Sequence, residues 1–538
     1  MLLSATIWLA VCLATSFKAF TAVSFFSGRT SITSQLMIPL ASGLATPARR
    51  ATAISIVFSG LMLGMLLPRV LSGIVAQYTS WRNVYWLALG LQYLVWSLLW
   101  LYMPDYPAIN TTDMPYYKFL CSIFYLIFSQ PVLAHACVMV FFSNAVFASF
   151  WTTLTAFLSG TLYNWSSLQI GLFALIGIAP LLFVNLAKRP TGLLPDGLDK
   201  ALFLSTGGES NEAAIKLAKL YTGKFEIVGL GRSWHGMTSG ANAAQYHSRA
   251  PWYGPMPTGN FMLPSPNAYR SIFRNADGSH DWQPELDYGF SLIDQQSVGS
   301  LAAVIVEPIL SSAGMHPLPK GYLEALRSHC NQREMLLIID EAQTAIGRAG
   351  DMFAFQHDGV KVIPDILTLS KTLGNGLPLS AIVTSSRIAK VAKERKFLFY
   401  TTHTNDPLPA AVGDTVLKIV VRDNLVSRSR VLGEKLHAGL RLLQSRYGCI
   451  GDVRGRGLMA GVEIVANSLT KEASPQLGNA LVERMTALGL WAQISTLTSF
   501  AGTFRIAPPL TTTEEEIEIG LKIMETAFAE TPGTTPLY

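Results

Sequence analysis

Four short segments carry residue types that could act together on an amine. Leu336-Leu337-Ile338-Ile339-Asp340-Glu341-Ala342-Gln343 is an apolar run ending in an acid. Open α/β sheets bind ligands at the C-terminal ends of such strands. Read alone, Asp340 could equally be a helix N-cap. Pro364-Asp365-Ile366-Leu367-Thr368-Leu369-Ser370-Lys371 is a second apolar run, this one ending in a lysine and followed by Gly374-Asn375-Gly376. An amine placed there can condense with an aldehyde. Ser205-Thr206-Gly207-Gly208-Glu209-Ser210-Asn211-Glu212 opens a helix, where small residues and free N–H groups suit a phosphate. Ser233-Trp234-His235-Gly236 offers a flat aromatic face.

These are the needs of pyridoxal phosphate. Its aldehyde requires an amine, its pyridine nitrogen a carboxylate, its phosphate an anion nest and its ring a stacking partner. Lys371, Asp340, residues 206–208 and Trp234 answer them in turn. The elements that must position them follow an alternating pattern. Strands are expected at Glu226–Leu230, Leu301–Glu307, Leu336–Asp340 and Asp365–Leu369, and helices at 210–221, 320–333 and 409–421. Such alternation predicts an α/β domain with a mostly parallel sheet covered on both faces, here spanning 191–424. Residues 425–538 are expected to form a smaller C-terminal α+β domain.

Over about 190–515 the chain resembles the class III, fold type I aminotransferases, and within them the 2,2-dialkylglycine decarboxylases. The resemblance is carried by Leu204–Lys216, Ser233–Thr238, Gly299–Gly314, Leu336–Gln343, Asp365–Pro378, Phe399–Gly413 and Phe504–Leu510. It implies that Lys371 holds the cofactor and shuttles the proton. Asp340 would pair with the pyridine nitrogen, Gln343 with the phenolic oxygen, and Trp234 with the ring face. Thr206, Gly207 and Gly208 would hold the phosphate, helped by Thr402 of a neighbouring subunit. Arg505 would grip the substrate carboxylate, with Met237 and Ser312 lining the pocket. Thr402, Thr404 and Asp406 match a potassium-binding region. The implied reaction is decarboxylation-coupled transfer of an amino group from a 2,2-dialkylglycine to a 2-oxo acid such as pyruvate; ordinary class III transamination is the alternative. A homodimer or dimer of dimers is implied. The residues alone leave His235 as a structural hydrogen-bonder, and Glu307 either facing the pocket or pairing with a basic neighbour.

The first 190 residues have a different texture. The whole chain is 50% apolar and 14% charged, against about 25% charge in ordinary globular chains. Nine of its 41 basic residues and two of its 35 acids fall in 1–190. Apolar stretches recur at 3–25, 33–46, 52–76, 83–104, 117–134, 136–160 and 168–187, most of them long enough to cross a bilayer. They predict an all-α polytopic membrane region of about six or seven helices. Ile32–Ala41, Arg49–Ala53 and Ser80-Trp81-Arg82-Asn83-Val84-Tyr85-Trp86 resemble part of a major facilitator superfamily transporter. Arg49-Arg50 and Lys188-Arg189 suggest cytoplasmic flanks by the positive-inside rule. No basic cluster interleaved with aromatics points to nucleic acid. Five Cys without CxxC spacing argue against structural zinc and a disulfide framework, and sequons stand at Asn110 and Asn164.

The transporter-like helices stand where class III enzymes carry a further N-terminal segment. That segment supplies part of the small domain, of the substrate site and of the dimer contact. Three readings of the junction near 190 stay open: a membrane-tethered enzyme with its catalytic part in the cytoplasm, an inactive fusion, or two neighbouring genes joined. The last would leave the enzyme soluble.

Overall fold

Among the described residues, helices account for the regular structure of 1–179, and a sheet enters only after residue 199. In this computed structural model the described residues are 2–30, 50–102, 125, 129–160, 165–173, 179–246, 254–359, 361–404, 406–495 and 502–534. The expected span 33–46, most of 117–134, the segment Ile32–Ala41 and both sequons lie outside them. The chain divides into two units, Met1–Ala179 and Pro180–Tyr538.

The first unit contains helices Leu2–Leu13, Phe17–Thr30, Arg50–Tyr78, Arg82–Tyr102, Pro131–Ser159 and Ser167–Phe173. The expected span 3–25 is broken at residues 14–16 into two helices of 12 and 14 residues. Each is shorter than the roughly 20 residues a bilayer crossing requires. Among the described residues one helix, Arg82–Tyr102, is long and apolar enough to cross a membrane, against the six or seven expected. The first helix packs on it: Trp8 Nε1 donates to the Tyr85 carbonyl at 3.1 Å. Phe20 of the second meets Tyr85 edge-on at 5.5 Å.

The expected span 168–187 also ends differently. Its last part forms helix Ala179–Leu193, which packs into the second unit. Leu186 is fully buried in the same core as Leu198, Phe203, Leu379 and Ala410. Phe183 lies 6.2 Å from Phe203. Arg189 pairs with the largely buried Asp414. Lys188 and Arg189 thus sit near the end of a helix with one apolar face and one polar face, the pattern of a helix covering a core.

The seven-stranded sheet of the second unit comprises β1 (Lys200–Leu204), β2 (Glu226–Leu230), β3 (Asn260–Leu263), β4 (Leu301–Val306), β5 (Leu336–Glu341), β6 (Ile366–Leu369) and β7 (Ser380–Thr384). Their order is β1-β7-β6-β5-β4-β2-β3. Only β7 runs against its neighbours, in register Lys200↔Thr384 on one side and Ile366↔Thr384 on the other. Strands β2, β4 and β5 are buried along their whole length. That burial explains their unbroken apolar runs. The four strand expectations are met to within one residue.

Helix Gly207–Thr222 covers one face with Ala214, Ile215 and Ala218. Its start carries a capping box: Thr206 Oγ1 accepts from the Glu209 N–H, and the Glu209 carboxylate accepts from the Thr206 N–H. Its end is set by Gly223 at φ 72°. Helix Pro407–Arg422 leads to the second, smaller layer. There β8 (Ile450–Arg456), β9 (Met459–Asn467), β10 (Gln493–Ile494) and β11 (Thr503–Ile506) form an antiparallel sheet in the order β8-β9-β11-β10. Helices Leu425–Arg446, Pro475–Ala487 and Glu514–Glu530 complete the α+β character.

Candidate active site

The C-terminal ends of neighbouring parallel strands deliver the chemistry. β5 ends in Asp340-Glu341, β6 is followed by Ser370-Lys371, β4 by Glu307, and β2 by the turn that carries Trp234 and His235. One cleft is lined by Gly207, Gly208, Asn211, Trp234, His235, Gly236, Glu307, Asp340, Ala342, Gln343 and Lys371. The structure therefore brings together six of the expected residues: Gly207, Gly208, Trp234, Asp340, Gln343 and Lys371.

Asp340 is 3% exposed and held from several sides. Its Oδ2 accepts from Asn211 Nδ2 at 2.7 Å and lies 2.8 Å from His235 Nδ1, which donates to it. Its Oδ1 accepts from the Ala342 N–H at 3.0 Å and lies 3.3 Å from Thr368 Oγ1. Asn211 uses every polar atom of its amide. Its second N–H reaches the His235 carbonyl at 2.8 Å, and its oxygen accepts from Thr368 Oγ1 at 2.7 Å. A satisfied buried network of this kind fixes the carboxylate in one orientation.

The sequence shows Asn211 and Thr368 only inside longer motifs and gives neither a role at Asp340. The signal available was position. Asn211 shares the buried stripe of its helix with Ala214, Ile215 and Ala218, and a polar residue on such a stripe needs partners.

Lys371 begins a 3₁₀ turn, Lys371–Leu373, at φ 43°. A non-glycine residue in the left-handed region costs about 1 kcal/mol or more, and such positions cluster at functional sites. The lysine side chain also borders a second cavity, lined by Arg348, Asn375, Val420 and Thr511 among others.

The glycine nest fits a phosphate. The N–H groups of Gly207 and Gly208 head a 16-residue helix and take no protein acceptor among the described residues. The Trp234 turn approaches closely: a Cβ on Gly236, at φ 129°, would stand 2.5 Å from the Gly208 Cα. Only glycine is accommodated there. With a held carboxylate, an amine and an aromatic side chain around one cleft, the residues present fit pyridoxal phosphate.

Glu307 is 3% exposed and faces the cleft. Burial pushes its carboxyl up to about 7, with His235 opposing and Asp340 adding to the shift. Glu341 is also pushed up to about 7, again by burial, but it points away from the cleft. It accepts from the N–H groups of Ala354 and Phe355 at 2.8 and 2.9 Å.

Arg505, on β11, reaches Gln343 with Nη2 at 3.4 Å. Its Nε is buried without a partner among the described residues. Burial lowers its pKa and the charge of Glu307 raises it.

The other expected residues stand elsewhere. Thr206 caps the helix beside the cleft. Met237 is 54% exposed and Ser312 is buried; neither lines the cleft. Thr402 is exposed on a loop outside it. Thr404 Oγ1 is held by Thr401, and Asp406 caps helix Pro407–Arg422.

Comparison with known proteins agrees with this fold. The major facilitator superfamily model matches residues 1–194. The class III aminotransferase model matches residues 169–528, so the two overlap across helix Ala179–Leu193. An uncharacterized aminotransferase of Schizosaccharomyces pombe is 51% identical over 348 residues, 65% of this chain and 77% of its own length. The mitochondrial alanine–glyoxylate aminotransferase 2 homolog 2 of Arabidopsis thaliana is 31% identical over 340 residues, 63% of this chain and 68% of its own length. A thermostable (S)-enantioselective omega-transaminase from Thermomicrobium roseum superposes with a TM-score of 0.59 at 30% identity, covering 65% of this chain and 79% of that one. A pyridoxal-phosphate-bound amine transaminase from an uncultivated Pseudomonas species gives 0.59 at 27% identity, covering 65% and 81%. The chain belongs to the class III aminotransferases.

Proposed function

We propose that this chain transfers an amino group between an amino acid and a 2-oxo acid, with Lys371, Asp340 and the Gly207–Gly208 nest holding pyridoxal phosphate. The observation that carries it is Asp340, held by Asn211, His235 and Ala342 in the same cleft as Lys371. Pyridoxal phosphate, when bound, supplies an aldehyde for the amine and a ring that takes up the electrons of a broken Cα bond. Asp340 keeps the pyridine nitrogen protonated. Trp234 covers one ring face, and Gln343 orients the phenolic oxygen. Lys371 moves the proton at the substrate carbon. Arg505, whose Nε is unpartnered, takes the substrate carboxylate, a task suited to a planar guanidinium. Met237 and Ser312 flank the substrate.

The finer proposal is that the broken bond joins Cα to the carboxylate, as for a 2,2-dialkylglycine, with pyruvate as acceptor. Ser210-Asn211-Glu212 and Tyr400-Thr401-Thr402-His403 support it. Potassium at Thr402, Thr404 and Asp406, and a homodimer in which Thr402 reaches a neighbour's phosphate, belong to the same proposal. So does a bilayer location for the first unit, with the second in the cytoplasm; membrane fractionation tests this.

The experiment is direct. Full-length protein mixed with pyridoxal phosphate should gain a visible absorbance band that Lys371→Ala lacks. Amine transfer from an ordinary amino acid to pyruvate without the band would overturn the cofactor assignment. Release of carbon dioxide from a 2,2-dialkylglycine decides the finer proposal, and its absence leaves ordinary transamination.

A further inference from the structure

Glu307 is the one buried carboxyl of the cleft for which the proposed reaction has no use. It stands one residue beyond β4, beside Asp340, because Val306 pairs with Ile339 in the parallel register. Its Oε1 accepts from the Trp234 N–H at 2.8 Å. Its Oε2 accepts from the N–H and hydroxyl of Ser311 at 3.4 and 3.3 Å. Along the chain Glu307 stands 73 residues from Trp234 and only four from Ser311.

We infer that Glu307 is a positioning residue: one buried carboxyl ties the turn carrying Trp234 to the turn carrying Ser311 and Ser312, and so sets the aromatic face of the cleft. The inference rests on the proposed stacking role of Trp234. A backbone tether fixes where the indole starts, and the loop itself supplies no regular structure to do so: between β2 and helix Ser239–Ala243 the residues are turns and coil. An ionised acceptor binds an N–H more strongly than a neutral one. The tether therefore tightens as Glu307 loses its proton, near neutral pH. The titratable groups around it are His235 on the same turn, Asp340 on β5, Arg505 on β11 and Lys371 after β6.

The test uses the full-length, cofactor-free chain. Its tryptophan fluorescence is titrated across neutrality, and the signal of Trp234→Phe is subtracted because the chain has 11 Trp. The expected result is a transition near pH 7 belonging to Trp234 and absent from Glu307→Gln. Glutamine keeps an oxygen for the Trp234 N–H but has no proton to lose. Its affinity for pyridoxal phosphate should stay within about threefold of the parent, whereas Glu307→Ala should weaken it about tenfold. A transition that survives in Glu307→Gln, the lack of one in the parent chain, or unchanged cofactor affinity in Glu307→Ala would each overturn the inference. If Glu307→Ala does not fold, the glutamine titration alone decides. The indole signal is read without cofactor, so its outcome is separate from whether the chain transaminates.

Discussion

In the first unit Trp100 is 74% exposed and Leu101 65%, while in the second Phe290, Phe353 and Phe504 are wholly buried. The residue types are alike; what covers them differs. Helix Arg82–Tyr102 has Leu89 as its buried residue and shows apolar side chains on the rest of its surface. A helix apolar all round suits an apolar surrounding. The second unit instead closes its apolar residues between a sheet and helices, and buries Asn211, His235 and Asp340 together in one hydrogen-bonded network. Sequence hydrophobicity alone cannot separate these cases, and helix Ala179–Leu193 is where the distinction falls.

The largest expected effect is Asp340→Ala. It strips the acceptor from Asn211, His235 and Ala342, and should destabilise the second unit by roughly 3–5 kcal/mol. Denaturant unfolding followed by a signal of the second unit measures it, with the helical signal of the first unit unmoved. Leu186→Ala comes next, at about 3 kcal/mol on the same transition. If the helix belonged with the apolar first unit, that transition would stay in place, and the contrast drawn above would break.

The third expectation concerns pH. Glu307 and Glu341 hold their protons to about 7 in the folded chain and ionise near 4.5 when unfolded. Between these values the folded form binds more protons, so stability falls as pH rises from about 4.5 to about 7 and then levels. Each residue contributes on the order of 1–3 kcal/mol. Unfolding midpoints at pH 5 and pH 7.5 (about those values) should differ in the parent and differ less in Glu341→Gln. The smallest effect is Trp100→Ser, within about 0.5 kcal/mol on the second unit. A larger shift would mean that the exposed helix supports the catalytic fold.

Much of the second unit was legible because its cues are local. Buried parallel strands leave continuous apolar runs, and Asp340 and Lys371 punctuate two of them. Gly207 and Gly208 sit where a capping box begins, which Thr206 and Glu209 announce at the right spacing. The network around Asp340 was less legible, since Asn211 and Thr368 meet it from 129 and 28 positions away. Glu307 admits two readings in the sequence because nothing in its neighbours tells which way a strand-end carboxyl turns. The last apolar stretch, 168–187, is hard to read for another reason. Leu182, Phe183, Leu186 and Ala187 are as apolar as a lipid-facing stripe, and only their surroundings, Phe203 beside Phe183 and Gly413 beside Leu186, reveal the core they belong to.

That helix also shapes the order in which the chain can mature. Arg189 and Asp414 are 225 positions apart, and β1 must wait for β7 before its ladder can form. Closing a loop of that length costs roughly 5 kcal/mol of chain entropy. The face Leu182–Ala187 is therefore made early and covered late during synthesis. Until Ala410 leaves the ribosome, an apolar surface stands uncovered beside a nascent edge strand, the circumstance in which chains aggregate or engage chaperones.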